Sequence, residues 1–337
     1  LGGCGAKTGA DNEEIPSAKE TLAVSDEAGK QSISFDDEDY ITWFGRVEHG
    51  TDGTVAFNYC ATGFEVKFRG TRLDITLGTN GFLGAADRNY VSVMVDGAAY
   101  NPSNKYGVEM DGKVINVFAD SGEHTVKLLK NTETRNANLS LKGLSTDGVF
   151  LKVGERRARF IEIYGDSITC GYGNIDNVDN KYGSFSMATE DNLQTYGFLT
   201  AEKLGAECSI MSASGHAILK SAFSDPSLPK DPITIPEMMT RKSYYNAENY
   251  VNPRNPQVVI LNCGTNDNTY IQQGSTSAIK QQREDNYVSA YIQFIRDIRT
   301  RYHGVKIFIC NGMLTEEAQM KPALERVIAG AGGSDIT

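Results

Sequence analysis

The chain has 337 residues, of which 40% are hydrophobic and 23% charged, with a formal net charge of −10. This length can bury two cores and the composition is that of an ordinary globular protein. The acidity argues against a nucleic-acid or anionic-membrane binder, because phosphate recognition needs clustered Lys and Arg, and no window approaches the roughly 18–20 apolar residues of a membrane span.

The chain opens on Leu1-Gly2-Gly3-Cys4, which matches the end of a bacterial lipoprotein signal, where the cysteine is lipidated after cleavage before it. Residues 5–39 are rich in Asp, Glu, Ser, Ala, Gly and Lys and have almost no apolar periodicity. They read as a flexible acidic tether. The expectation is an extracellular protein held at the bacterial surface through Cys4, the alternative being an arbitrary start.

From 40 to 150 the signals are strand and turn. Alternating runs cover 54–59, 64–68, 73–77, 90–95, 113–118, 124–129 and 139–144, with Gly and Asp turns between them. Short strands at roughly ten-residue spacing predict a β-sandwich, or jelly roll.

From 151 to 337 the pattern alternates. Strand-like runs at 159–164, 206–213, 257–263 and 305–311 are separated by helical periodicity at 191–204, opened by Asp191 as cap, at 284–302 and at 315–329. Strands alternating with helices predict a parallel sheet wrapped on both faces, and a run such as Val258-Val259-Ile260-Leu261 suits a strand buried on both sides.

The six cysteines follow no metal or disulfide spacing. Cys208, Cys263 and Cys310 sit in or at the end of apolar runs as small hydrophobes, and Cys170 reads as a packing residue in a turn. Asp267 and the acidic tether show no metal-ligand spacing, and no metal or cofactor is expected.

Three strand ends carry chemistry. They are Gly165-Asp166-Ser167, Ser212-Ala213-Ser214-Gly215-His216 and Cys263-Gly264-Thr265-Asn266-Asp267. Carboxyl ends of parallel strands meet at one sheet edge, where open α/β sheets bind ligands. A serine hydroxyl, a glycine amide and an asparagine side-chain N–H assembled there make an acyl-transfer site with an oxyanion hole.

These blocks resemble the first three of the SGNH/GDSL hydrolase superfamily. With the preceding sandwich, the stretch Gly122-Glu123-His124-Thr125-Val126…Lys130-Asn131-Thr132-Glu133, and Gly-Asp-Ser-Ile-Thr-Cys-Gly-Tyr-Gly-Asn at 165–174, the chain is similar to carbohydrate esterase family 2 from about residue 40 to 330. The likeness implies a jelly roll followed by a flavodoxin-like SGNH α/β/α domain that removes acetyl groups from polysaccharides such as xylan, mannan or glucomannan. It makes Ser167 the nucleophile, whose own N–H joins Gly215 and Asn266 in the oxyanion hole. Asp166 orients the turn, and Tyr172 and Asn174 are candidates for the sugar side. His216 is a tempting local base, but the family does not draw its base from that position, so it reads as a rim residue.

The family's base comes from an Asp-x-x-His block after the fifth strand. None of the four histidines, His49, His124, His216 and His303, has that context, and the expected strand would begin at Ser334-Asp335-Ile336-Thr337. The reading is therefore of an SGNH domain cut before its last strand, its base beyond Thr337 and its activity impaired as it stands. Two other readings are another SGNH esterase or lipase activity, and a carbohydrate-binding protein without turnover whose Tyr59, Tyr90, Tyr100 and Tyr106 stack sugars.

Overall fold

The computed structural model describes residues 29–80, 88–102, 104–135, 137–176, 185–311 and 317–337. Cys4 and the tether up to residue 28 lie outside them. The end of the expected tether does not stay free. Lys30 forms a β-bridge with Phe150, and Ile33 and Phe35 pack on the first core. Two apolar side chains suffice to dock so short a segment.

The first unit is a single antiparallel network of nine strands: β1 (Ile41–Phe44), β2 (Val47–His49), β3 (Val55–Phe57), β4 (Gly63–Thr79), β5 (Asn89–Val95), β6 (Lys105–Val108), β7 (Lys113–Lys130), β8 (Leu139–Thr146) and β9 (Val149–Leu151). They run β2-β3-β8-β4-β7-β5-β6, with β1 and β9 also on β4. Expected strands 64–68 and 73–77 prove to be one strand, and so do 113–118 and 124–129. The Gly and Asp residues read there as turns, such as Gly70 and Asp120, lie inside the strands. The register of β4 on β7 shifts between Gly70 and Arg72, opposite Gly122. There Thr71 of β4 faces residues 119–121 of β7, and each strand changes side-chain phase across the irregularity. Phe64, Val66 and Phe68 point into the core before the bulge and Leu73, Ile75 and Leu77 after it. β7 changes phase in the same way, from Ile115 and Val117 to Val126 and Leu128. Two bent strands therefore close the unit over one core.

The second unit alternates as expected: β10 (Arg159–Gly165), α1 (Ser167–Cys170), α2 (Tyr196–Lys203), β11 (Ala206–Ser212), α3 (Ile235–Thr240), β12 (Val258–Asn262), α4 (Thr265–Gln272), α5 (Ser277–Arg301), β13 (Lys306–Ile309) and α6 (Glu317–Ala331). Its sheet is wholly parallel in the order β11-β10-β12-β13, with cores on both faces. Asp191 caps a 3₁₀ turn at 192–194, and α2 follows. α5 starts earlier than its apolar periodicity, because its first turns are polar and are opened by Thr276, whose side chain accepts from Ile279 N. Beyond β13, Ile307 pairs in parallel with Ile336, and Thr337 N donates to Ile307 O at 3.0 Å. The last described residues thus lie along β13 through one isolated parallel bridge, outside the four strands of the sheet.

The units interlock. The loop carrying Tyr59, Cys60 and Ala61 packs on the second unit, with Cys60 bridging Ile210 of the edge strand β11. Arg46, 1% exposed, inserts its guanidinium over the rings of Tyr250 and Tyr59, 4.6 and 5.5 Å from their centroids. It donates to the carbonyls of Met238 and Arg241 at 2.9 and 2.6 Å.

Candidate active site

Gly165 of β10 stands opposite Ser212 of β11 and Asn262 of β12, so the three motif-bearing loops leave the sheet side by side. Hydrogen bonds then hold the loops in place. The Asp166 side chain caps α1 by accepting from Ile168 N at 3.0 Å. Asn266 of the third loop donates to the His216 carbonyl of the second at 2.8 Å. Burial pushes the Asp166 carboxyl up to about 6, against the lowering pull of the Ile168 N–H.

Ser167 is the first residue of α1 and is partly exposed. Among the described residues nothing hydrogen-bonds its side chain, and its N–H and that of Gly215 have no acceptor. Gly215 has φ +77°, and a Cβ there would meet nothing within 4 Å. Glycine is required by that backbone conformation and not by crowding. Asn266 is 8% exposed. One of its two amide hydrogens is spent on His216 O, which fixes the side chain and leaves the other to donate. The three loops thus carry one unbonded serine hydroxyl, two backbone N–H groups without an acceptor among the described residues and one amide hydrogen not spent on His216 O.

Asp267, weighed as a metal ligand in the sequence, is fully committed to backbone. Its carboxylate accepts from Ile218 N and Leu219 N at 2.9 Å and from Lys220 N at 3.2 Å. Burial pushes it up to about 7 despite those bonds. It anchors the chain just beyond Gly215 onto α4.

A cavity of about 360 Å³ opens on Ser167, lined by Gly171, Tyr172, Asn174, Gln194 and Tyr196 among others. Tyr172 is 46% exposed and stacks face to face on Phe185, centroids 3.5 Å apart. Asn174 lines the cavity, but both ends of its amide are engaged with the Asp191 backbone, at 2.9 and 3.0 Å. Of the tyrosines considered for sugar stacking, Tyr59 is fully buried and its hydroxyl reaches Met238 O at 3.4 Å. Tyr100 is tied to Asp191 and Asn131. The Tyr59 ring is not free to take a sugar from solvent, whereas Tyr100 has its hydroxyl spent but its ring lines a cleft between the units.

The histidines fall where the sequence placed them, and none bonds Ser167 Oγ. His49 pairs with Asp36 and His124 with Asp96, both in the first unit. His216 sits at the rim, with Nδ1 near Ser214 O and Nε2 near Tyr244 OH, both at 3.1 Å. Nδ1–H donating and Nε2 accepting satisfies both contacts. Burial lowers its pKa, which keeps that neutral form at pH 7.

The first unit supplies a contact that sequence reasoning missed. Glu133, fully buried, accepts from Ser214 N at 2.7 Å, one residue before Gly215. The same carboxylate holds Arg135 through Nε and Nη2, both at 3.2 Å. Its own N–H donates to Glu190, and Lys130 Nζ donates to its carbonyl at 2.7 Å. Burial and the neighbouring Glu133 push the Glu190 carboxyl well up. Cys170, read as packing, does pack: its Sγ lies 3.3 Å from Ser212 Oγ, which in turn reaches Cys60 Sγ at 3.3 Å.

Comparison with known proteins gives two family matches. Residues 43–152 match carbohydrate esterase 2 N-terminal, and residues 161–329 match GDSL-like lipase/acylhydrolase. Among curated relatives, the cellulase/esterase CelE of Acetivibrio thermocellus is 28% identical over 82% of this chain and 31% of its own length. The chain thus spans about a third of that relative. An acetylxylan esterase/glucomannan deacetylase of Cellvibrio japonicus is 26% identical over 79% of this chain and 71% of its own length. Among solved structures, a carbohydrate esterase family 2 enzyme with a carbohydrate-binding domain from Corynascus thermopiles (Myceliophthora fergusii) superposes with TM-score 0.75 at 26% identity, covering 88% of each chain. An acetyl xylan esterase from the rumen bacterium Butyrivibrio proteoclasticus shares the fold with TM-score 0.74 at 20% identity, over 88% of this chain and 86% of the other.

Proposed function

The chain belongs to the GDSL-like lipase/acylhydrolases, in carbohydrate esterase family 2, and from that premise we propose that it is a serine esterase removing O-acetyl groups from polysaccharides such as xylan, mannan or glucomannan. What supports this reading is that the loops carrying Ser167, Gly215 and Asn266 leave three adjacent parallel strands side by side, with Asn266 hydrogen-bonded to the His216 carbonyl next to Gly215.

Ser167 Oγ attacks the acetyl carbonyl. The charge that develops on the carbonyl oxygen is met by the N–H groups of Ser167 and Gly215 and by Asn266 Nδ2. The C–O bond to the sugar breaks, the sugar oxygen takes a proton, and water then hydrolyses the acetyl-enzyme. A serine at its ordinary pKa needs a base for this. The resemblance assigns that base to an Asp-x-x-His block, and none of the four histidines here bonds Ser167 among the described residues. We read the first unit, residues 40–150, as a jelly roll, and the Cys4 motif as a lipid anchor that sets the enzyme at the cell surface.

The test is acetate release from acetylated xylan and glucomannan, measured on residues 1–337 and on an extended form that carries an Asp-x-x-His block. Activity of the extended form that Ser167→Ala abolishes supports the reading. Absence of acetate release from both forms overturns it.

A further inference from the structure

Gln194 stands at one margin of the cavity over Ser167. A second cleft of about 380 Å³ lies beyond it, between the two units, and Gln194 lines both. Met94 and Tyr100 of the first unit form one wall; Leu193, Phe198 and Leu199 form the other. Its volume falls in the range of small-molecule sites. The Gln194 side chain, at the junction, makes no hydrogen bond among the described residues. That leaves an amide with donors and an acceptor free between two open spaces.

The charges at the cleft cancel in pairs. Lys127 lies 3.5 Å from Glu65, and Arg157 forms a salt bridge with Glu202 at 2.6 Å. A cleft with an apolar floor, paired charges at its margin and a free amide at its entrance suits a neutral polyhydroxylated chain. It does not suit a lone anion or cation, which would have to break a pair.

We propose that this interdomain cleft is a distal binding subsite for the polysaccharide backbone, continuous with the catalytic cavity through Gln194. The inference rests on the esterase reading. A sugar whose acetyl group lies at Ser167 leaves its chain neighbours to pass Gln194, hydrogen-bond its amide and cover Phe198 and Leu199. Two units that each carry one wall then act together on a polymer, while a small acetyl ester never reaches the cleft.

The experiment blocks the cleft from each side with Leu199→Trp and Ala99→Trp. Circular dichroism checks that each variant is folded, and the two sit on different units so that failure of one to fold leaves the other. The readout is kcat/KM on acetylated xylo-oligosaccharides of increasing length relative to kcat/KM on 4-nitrophenyl acetate, in the extended form. The expected result is a ratio that rises with chain length in the parent and falls about tenfold in the variants, the value of one or two lost sugar contacts. A ratio unchanged in both variants overturns the subsite. If the parent releases no acetate, the esterase reading fails and xylohexaose binding by calorimetry decides the subsite separately. Weaker binding in the variants supports it, and equal binding overturns it.

Discussion

The Glu133 carboxylate accepts the Ser214 N–H at 2.7 Å, so a buried acid of the first unit fixes the backbone beside the Gly215 donor of the second. Truncation to Ala leaves that N–H and the Arg135 guanidinium without their partner. An unsatisfied buried donor costs about 1–3 kcal/mol. If that cost falls on the oxyanion geometry, kcat drops roughly 10- to 100-fold. Glu133→Ala is therefore expected to lower kcat in acetyl-ester hydrolysis with a small change in KM. Glu133→Gln keeps an acceptor oxygen and recovers part of the rate. Equal losses in both variants, tracking their thermal stability, would mean that Glu133 serves folding alone.

Two glycines at the site are required for different reasons, and their alanine variants separate them. A Cβ on Gly165 would lie 1.9 Å from Thr169 Oγ1 and 3.0 Å from Asn262 O, so Gly165→Ala must displace α1 and with it Ser167. A Cβ on Gly215 meets nothing, and Gly215→Ala costs only its left-handed backbone, about 1–2 kcal/mol. The expectation is a folded but inactive Gly165→Ala protein, and a Gly215→Ala protein modestly destabilised with much of its activity. Urea midpoints alongside esterase rates check both. Full activity in Gly165→Ala would contradict the close packing of α1 on β10.

How much of this was legible in the sequence follows from the range of each interaction. The strand-end motifs at 165–167, 212–216 and 263–267 could be read because the chemistry sits in a few adjacent residues and parallel topology does the rest. The bent strands β4 and β7 were read as four, because Gly70-Thr71 and Ser121-Gly122 are turn residues in isolation. Only the pairing of Gly70 with Gly122 makes them the two sides of one bend. Glu133 and Gln194 could be seen but not given a role. Glu133 meets Ser214 across 81 positions of sequence, and Gln194 matters through two cavities that no local pattern records. The docking of Ile33 and Phe35 escaped for the same reason, its decisive partners being tertiary, while the polar start of α5 escaped because its signal is the Thr276 cap and not apolar periodicity.

Asp267 gives a pH dependence with a definite sign. Burial raises its carboxyl from the ordinary 3.8 to about 7 in the folded protein. Between those values the unfolded chain has lost the proton and the native state keeps it. The stabilisation from this group is complete below about 4, declines as the pH rises and is gone above about 7. Asp267→Asn removes that dependence. Its amide nitrogen also faces one of the three backbone N–H groups, so the variant is less stable at low pH by about 1–3 kcal/mol. At about 1.4 kcal/mol per pH unit, the gap between parent and variant is expected to close and then reverse between pH 4.5 and pH 7.5 in urea titrations. Parallel curves would show that Asp267 titrates as an ordinary carboxylate. Asp166, raised to about 6 by burial, adds a slope of the same sign to both proteins and drops out of the comparison.

The lock between the units is tested at Arg46 and Glu162. Both side chains are fully buried and stand 3.9 Å apart. Glu162 also accepts from Tyr164 OH at 2.6 Å and from Asn252 at 2.7 Å. Arg46 Nε and Nη2 have no hydrogen-bond partner among the described residues, so the guanidinium depends on this charge, on two carbonyls and on two aromatic faces. Removing one member of a buried pair strands the other charge, at about 3–5 kcal/mol. Arg46→Met should therefore be severely destabilising, whereas adding Glu162→Gln should recover much of the loss, since no buried charge then lacks its partner. Denaturation of the two single variants and the double measures the coupling directly. Additive losses would mean that Arg46 acts through the Met238 and Arg241 carbonyls and the Tyr59 and Tyr250 rings, with Glu162 held by its tyrosine and asparagine alone.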